Sequence, residues 1–289
     1  MIVILGSRGY VGQAFLRELE RSNEDFVAPT RQDVDITNVD SLSRFLLDCS
    51  ASFVINSAGF TGKPNVDACE SAKTECLFAN AVLPGRIREA CDRTRIPFGH
   101  VSSGCIFSGL KSDGSGFTET DAPNFCFRSN HCSFYSGTKA IGEELLADCG
   151  TCFIWRPRMP FNEIQSPRNY LSKLMTYERI LNATNSLSHL DEFAKLCLEC
   201  WRRRCDFGTY NVVNTGSVTT EQIVSMLQKH ITIGKQYKYF EDENEFLRVA
   251  AIAPRSNCVL DNSKLRNTGI PVRTVYEALL DAIQGWKRD

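Results

Sequence analysis

The chain lacks net charge: 33 Lys and Arg against 34 Asp and Glu leave −1. That balance removes any global electrostatic case for nucleic acid or an anionic membrane surface as a partner. No apolar run approaches the ~20 residues that a membrane-spanning helix needs. Met1 leads straight into the strand-like Ile2-Val3-Ile4-Leu5, which leaves no stretch for a signal peptide, so a soluble cytoplasmic protein is expected. The four histidines, His100, His131, His189 and His230, share no spacing that marks a base or a ligand set, and there is no internal repeat. Cysteine is the opposite case, with thirteen. In a chain of this size without a secretion signal they read as reduced thiols. The close pair Cys197-Leu198-Glu199-Cys200 sits in an amphipathic pattern with no second pair or histidine nearby, so core packing is expected and no metal.

With 289 residues, 43% of them hydrophobic, the chain can bury a core as one large domain or two modest ones. Ile2–Leu5 reads as a buried strand and runs into Gly6-Ser7-Arg8-Gly9-Tyr10-Val11-Gly12, after which Val11, Phe15, Leu16 and Leu19 recur at helical spacing. Strand, glycine turn and helix form the opening of a dinucleotide-binding unit. Glycines admit the pyrophosphate close to the backbone, and the helix N-terminus favours its charge. The spacing is G-x-x-G-x-x-G, similar to that of the short-chain dehydrogenase/reductase superfamily. The next strand, near Phe26–Ala28, ends in Pro29-Thr30-Arg31 where an acid would select NAD. Arg31, with Arg8 as a second phosphate partner, favours NADPH, and NADH is the alternative. Phe53-Val54-Ile55 ends in the small residues Asn56-Ser57-Ala58-Gly59, over which a cofactor can pass.

A long helix is expected from about Ala68 to Cys91, a strand over Phe98–Ser102, and then a polar, Gly-rich stretch with Phe117-Thr118-Glu119 that reads as a lid. The strand–helix alternation through Arg156 predicts an α/β fold, a Rossmann-type doubly wound parallel sheet. Residues 1–155 form the expected cofactor domain, completed by roughly 190–213, and 156–289 the mainly substrate-binding part, a small α/β cap. A helix from 193 to 203, a strand over Tyr210–Val213 and a helix from Glu221 are expected there.

Tyr135 and Lys139 lie one helical turn apart in Phe134-Tyr135-Ser136-Gly137-Thr138-Lys139 and so can face one cleft. An ammonium beside a phenol lowers its pKa and makes Tyr135 a usable acid toward a carbonyl. Ser103, in the turn after Val101, is a second donor to that carbonyl.

Together these segments resemble the dTDP-4-dehydrorhamnose reductase branch of extended short-chain dehydrogenase/reductases. Within it the chain is similar to the bifunctional UDP-4-keto-6-deoxy-glucose 3,5-epimerase/4-reductases that form the C-terminal half of plant UDP-rhamnose synthases and stand alone in giant viruses. The matching stretches are Val54–Glu70, Gly104-Cys105-Ile106-Phe107, Phe134–Ala140, Arg158-Met159-Pro160, Pro167-Arg168-Asn169 and Ala253-Pro254-Arg255-Ser256-Asn257. The resemblance implies that Asp35, beside Ile36, contacts the adenine, and that Lys139 binds the nicotinamide ribose. Tyr135 would protonate the C4 oxygen and Ser103 hold it. Cys105 and Lys173 match the pair assigned to epimerisation, whose protons at C3 and C5 are acidic because both carbons flank the C4 ketone. Val66, Arg158, Asn169 and Arg255 would contact the nucleotide sugar. Dehydratases of this fold carry Asp-Glu where Gly104-Cys105 stand, so a separate 4,6-dehydratase must supply the 4-keto sugar. Many members are dimers, and a homodimer is the matching expectation. Two other readings stay open: a reductase without epimerase activity, and a non-catalytic NADP-binding regulatory subunit.

Overall fold

The structure, a computed structural model, describes residues 1–129, 131–231 and 236–287. Its frame is a six-stranded sheet built from β1 (Ile2–Leu5), β2 (Phe26–Val27), β3 (Phe53–Asn56), β4 (Phe98–Val101), β5 (Cys152–Arg156) and β8 (Gly208–Asn211). The strand order is β2-β1-β3-β4-β5-β8, and every neighbouring pair is parallel. The chain leaves β1 toward β2 and then crosses to β3 on the other side. This creates the crevice at the carboxyl ends of β1 and β3 where open α/β sheets bind ligands.

Both faces of the sheet are covered, which is why its strands read as unbroken apolar runs. The side chains still alternate. Ile2, Ile4, Phe53, Ile55, Phe153 and Trp155 pack beneath α1 (Tyr10–Arg21) and α8 (Leu190–Arg202). Val3, Leu5, Val54, Phe98 and Ile154 pack beneath α2 (Val39–Asp48), capped by Asn38, and α5 (Leu83–Thr94). Gly99 is obligatory on β4, since a Cβ there would stand 2.0 Å from the Trp155 ring. Cys197 and Cys200 lie in the first of these cores, as packing residues. Arg202, in the last turn of α8, pairs with Glu199 of its own helix, with Glu18 of α1 and with Glu24 just beyond it.

The single helix expected over 68–91 is broken. It comprises α3 (Ala68–Ser71), α4 (Lys73–Leu77), a π-helical segment (Phe78–Val82) and α5. Pro84 has no N–H for the carbonyl of Asn80, and that carbonyl faces Gly142 of α6 (Phe134–Glu144), whose Cβ would lie 2.2 Å from it. The buried Asn80 side chain also bonds the backbone of Phe60 at 2.8 and 2.9 Å and the Thr138 hydroxyl at 3.2 Å. The wider turn lets Asn80 tie α6 to the loop after β3.

The remaining elements are α7 (Tyr170–Thr176), β6 (Arg179–Ile180), β7 (Thr184–Asn185), β9 (Val218–Thr219), α9 (Thr220–His230), β10 (Lys238–Tyr239), α10 (Glu243–Val249), α11 (Ser263–Arg266) and α12 (Val275–Gln284). Several of them enclose a further core, and one of them, α11, through Leu265, joins the α1–α8 side of the sheet. Phe161, Leu171, Leu174, Ile223, Leu227, Val275 and Leu279 fill that further core. The strand expected at 210–213 pairs two residues earlier, as β8, with Phe153–Arg156 of β5. The stretch expected to be a lid is pinned down instead. Phe117 stacks on Phe107 at 4.7 Å, and its carbonyl accepts from the Asn211 side chain at 3.0 Å. Glu119 caps the Asn211 N–H at 2.8 Å. Among the described residues no helix is long and apolar enough to cross a membrane.

Candidate active site

The turn after β1 has the geometry of an anion cradle. Gly6 has φ 79°, and the Gly9 N–H donates to its carbonyl at 2.9 Å. A Cβ on Gly12 would stand 2.3 Å from that same carbonyl, so only glycine lets α1 start here. Gly9 at the N-cap of α1 supplies no side-chain cap, and the first turn holds no acid. Its N–H groups are therefore free to face a negative charge, and a dinucleotide pyrophosphate fits this donor set. Arg8, within the turn, and Arg31, after β2, are exposed. Asp33, the acid that would compete for a ribose, is folded back on Thr30, accepting from its N–H at 2.7 Å and its hydroxyl at 2.8 Å. Those bonds, with Arg8, hold its carboxyl below the usual range. Asp35 is likewise occupied by Thr37. Ile36 packs against the α2 side of the core, as does Ala58. Asn56 is fully buried: its side chain meets His100 Nδ1 at 2.9 Å and accepts from the Ala58 N–H at 3.1 Å, so it shapes the strand end from within.

Eleven of the expected site residues line one cavity of about 720 Å³: Gly9, Tyr10, Val11, Val66, Ser103, Cys105, Tyr135, Lys139, Arg158, Lys173 and Arg255. The polar end of β4 and the first two turns of α6 bring the reactive groups together. Ser103 caps a short turn over Gly104–Ile106 by accepting from the Cys105 N–H at 3.2 Å. Burial, joined by Cys105, pushes the Tyr135 phenol up, and its hydrogen bond with Ser103 pulls the other way. The expected lowering by Lys139 is not what opposes burial here. The Lys139 ammonium instead donates to the Val101 carbonyl at 3.1 Å. Burial lowers Lys139, against the raising influence of Cys105, Glu143 and Cys76. Tyr135 thus keeps its proton at neutral pH, as an acid must.

Burial pushes the Cys105 thiol up, opposed by hydrogen bonds with Ser103 and Ser136 and by the charges of Arg158 and Lys139. Burial first, then Arg168 and Arg255, lowers Lys173. The site therefore pairs a thiol that retains its proton with an amine that releases one more readily than a free lysine.

Asn169 does not reach the cavity. It is fully buried as the cap of α7, accepting from the Leu171 N–H at 2.9 Å and donating to the Asn162 and Ile164 carbonyls at 2.7 and 2.8 Å. Its capacity is spent on its own loop. Arg158 does reach it while donating to Asn185 at 2.7 Å and to the Ser256 carbonyl, and its Nε is buried without a partner. Arg255 is held by Asp67 at 2.6 Å.

Sequence reasoning missed Glu143. Its carboxylate accepts from Arg156 at 2.6 Å and from the Ser102 hydroxyl at 2.5 Å, behind Lys139. The signal was present, since Tyr135, Lys139 and Glu143 recur every four residues on one helix face. Also missed were Arg179, Tyr177, Phe240 and Phe246 on the cavity wall, which nothing local marks, while Arg168, from the matching stretch 167–169, lines it too.

Comparison with known proteins follows the same outline. The family model for the RmlD substrate binding domain matches residues 1–287. The Arabidopsis thaliana bifunctional dTDP-4-dehydrorhamnose 3,5-epimerase/dTDP-4-dehydrorhamnose reductase is 36% identical over 79% of this chain and 75% of its own. The chain spans only 36% of the length of a trifunctional UDP-glucose 4,6-dehydratase/UDP-4-keto-6-deoxy-D-glucose 3,5-epimerase/UDP-4-keto-L-rhamnose-reductase of that plant, at 34% identity over 85% of this chain. The crystal structure of the L780 UDP-rhamnose synthase from Acanthamoeba polyphaga mimivirus shares the fold at TM-score 0.90, with 24% identity over 98% of both chains. A dTDP-4-dehydrorhamnose reductase from Bacillus anthracis in complex with NADP does so at 0.81, with 19% identity over 97% of both.

Proposed function

That the chain belongs to the RmlD substrate binding domain family is the premise from which we propose a bifunctional enzyme. In this reading it is a 3,5-epimerase and NADPH-dependent 4-keto reductase that converts UDP-4-keto-6-deoxy-D-glucose to UDP-L-rhamnose. The observation that carries the epimerase half is that Cys105 and Lys173 line the same cavity as Tyr135 and Ser103.

When bound, NADPH supplies the hydride that reduces C4. The Gly6–Gly12 turn and the N-terminus of α1 would hold its pyrophosphate, Arg8 and Arg31 its 2′-phosphate, Asp35 its adenine and Lys139 its nicotinamide ribose. Tyr135 and Ser103 hydrogen-bond the C4 oxygen, which makes the neighbouring C–H groups more acidic. Lys173 takes a proton from one face of C3 or C5, and Cys105 returns one to the other. With both centres inverted, Tyr135 gives its proton to the C4 oxygen. Gly104 and Cys105 provide no carboxylates for dehydration, so a separate 4,6-dehydratase supplies the keto sugar. The soluble cytoplasmic setting and the homodimer belong to this reading.

The test is turnover of UDP-4-keto-6-deoxy-glucose with NADPH in deuterated water by the native protein and Cys105→Ala, with the products read by NMR. The expected product is L-rhamnose labelled at C3 and C5 from the native protein, lost in the variant. One observation favours reduction alone: Cys105 also belongs to the apolar cluster of Ile106, Phe107 and Phe117, where packing would account for it. Unlabelled D-configured product would establish that reading, and NADPH binding without turnover would point to a regulatory subunit.

A further inference from the structure

The proposed chemistry leaves most of the thiols unused, and one pair stands apart by its placement. Cys149-Gly150-Thr151-Cys152 is a C-x-x-C step, passed over in reading the sequence, in the turn that carries the chain from α6 into β5. That spacing brings two sulfurs together across one turn, and within a βαβ unit it is the arrangement of redox-active pairs. The two thiols influence one another across that turn. They are not equivalent. Cys149 is 9% exposed, on a turn whose Asp148, Gly150 and Thr151 are open to solvent. Its sulfur lies 3.8 Å from the Thr151 hydroxyl. Cys152 is 1% exposed at the start of β5, and its thiol donates to the Phe153 carbonyl at 3.2 Å. The hydrogen bonds hold the Cys149 thiol down at about 6, whereas burial and its neighbour push Cys152 well up. A thiol at the rim of an exposed turn, drawn toward its thiolate, thus stands beside a shielded partner that keeps its proton. Among other pairs that interact, Cys69 and Cys76 are fully buried beneath α6, and Cys200 and Cys205, at the end of α8, lack the C-x-x-C spacing.

We propose that Cys149 and Cys152 form a thiol-oxidation site that hydrogen peroxide converts to a disulfide, with Cys149 attacking and Cys152 resolving. In the first step the Cys149 sulfur bonds to one peroxide oxygen and the O–O bond breaks. The leaving hydroxide takes up a proton as water, and Cys149 is left as a sulfenic acid. In the second, the Cys152 sulfur displaces that oxygen as a second water. Two thiols and one peroxide become one disulfide and two waters. Neither residue lines the cavity, so the site stands whether or not Cys105 takes part in epimerisation.

The reduced protein is treated with one equivalent of hydrogen peroxide at neutral pH, alkylated and digested with trypsin. Because Pro157 follows Arg156, the fragment 140–158 stays whole and carries these two cysteines and no others. The expected fragment is unalkylated and lighter by two hydrogens, and takes two alkyl groups after reduction with dithiothreitol. Cys152→Ser treated with peroxide and dimedone carries the adduct at Cys149. A wild-type fragment alkylated on both cysteines overturns the proposal, as does an adduct on Cys152 in Cys149→Ser. The wild-type digest decides the matter even if a variant does not fold.

Discussion

Glu143 is a side chain outside the cavity that sets the charge of one inside it. It and Arg156 are 9% and 5% exposed, so their pairing is sealed from water. Glu143 raises Lys139, whose burial alone would drive it toward the neutral amine. The groups facing Lys139 from other elements are the thiols of Cys105 and Cys76 and the imidazole of His100. Cys76 is drawn down to about 7, chiefly by Cys69, so near neutrality it adds a partial negative charge to the full one of Glu143. Glu143→Gln keeps the shape and removes the charge. We expect Lys139 to lose its proton at lower pH, so that the alkaline limb of kcat for 4-keto-sugar reduction moves toward neutrality. Stability should also fall by about 3–5 kcal/mol, since Arg156 is left buried and unpaired. A pH–rate profile and a urea titration separate the two effects, and an unmoved alkaline limb would remove Glu143 from any role through Lys139. Asn169→Ala should behave differently. Losing a cap and stranding two carbonyls should cost about 2–3 kcal/mol in the same titration. KM for the nucleotide sugar should hold, and a raised KM at unchanged stability would return Asn169 to the substrate.

The elements carry the cofactor's shape more than its chemistry. Gly12→Ala would drive a methyl into the Gly6 carbonyl and force the start of α1 away from β1. NADPH affinity, followed by fluorescence titration, should drop at least tenfold, about 1.4 kcal/mol, and wild-type affinity would mean the turn does not hold the pyrophosphate. This turn was legible in the sequence because strand, glycines and helical period all point to one geometry. The same agreement made the buried strands readable. The break in the helix after Ala68 was not, because its cause lies elsewhere in the chain, in Phe60, Thr138 and Gly142 meeting Asn80. Nor could polarity distinguish a lid from a pinned strap in 108–129, where the Phe107–Phe117 stack and the Asn211 bonds decide. β8 slipped by two residues because an apolar run marks burial, and Val212 and Val213 are buried beyond the ladder.

Across the whole molecule, two carboxylates fasten the cavity's second wall. Asp67, after β3, accepts from the Ala253 N–H at 3.2 Å and pairs with Arg255. Glu163, before α7, lies 3.7 Å from His189 at the start of α8. Burial acts to raise Asp67, but Arg255 outweighs it and the carboxyl sits low. His189 holds Glu163 down at about 2. A carboxyl depressed by folding contributes stability above its unfolded pKa, near 4, and loses that contribution as pH falls through the folded value. The tie between the two parts should therefore be intact at pH 6 and weaken between about pH 4 and 2. Each carboxylate should account for about 1–2 kcal/mol after solvent screening. Melting temperatures across that window should fall steeply for the wild type and less steeply for Asp67→Asn and Glu163→Gln, which begin lower and have less to lose. A variant that keeps the wild-type slope would show that its carboxylate is not held low in the fold, and that the wall is fastened by apolar packing alone.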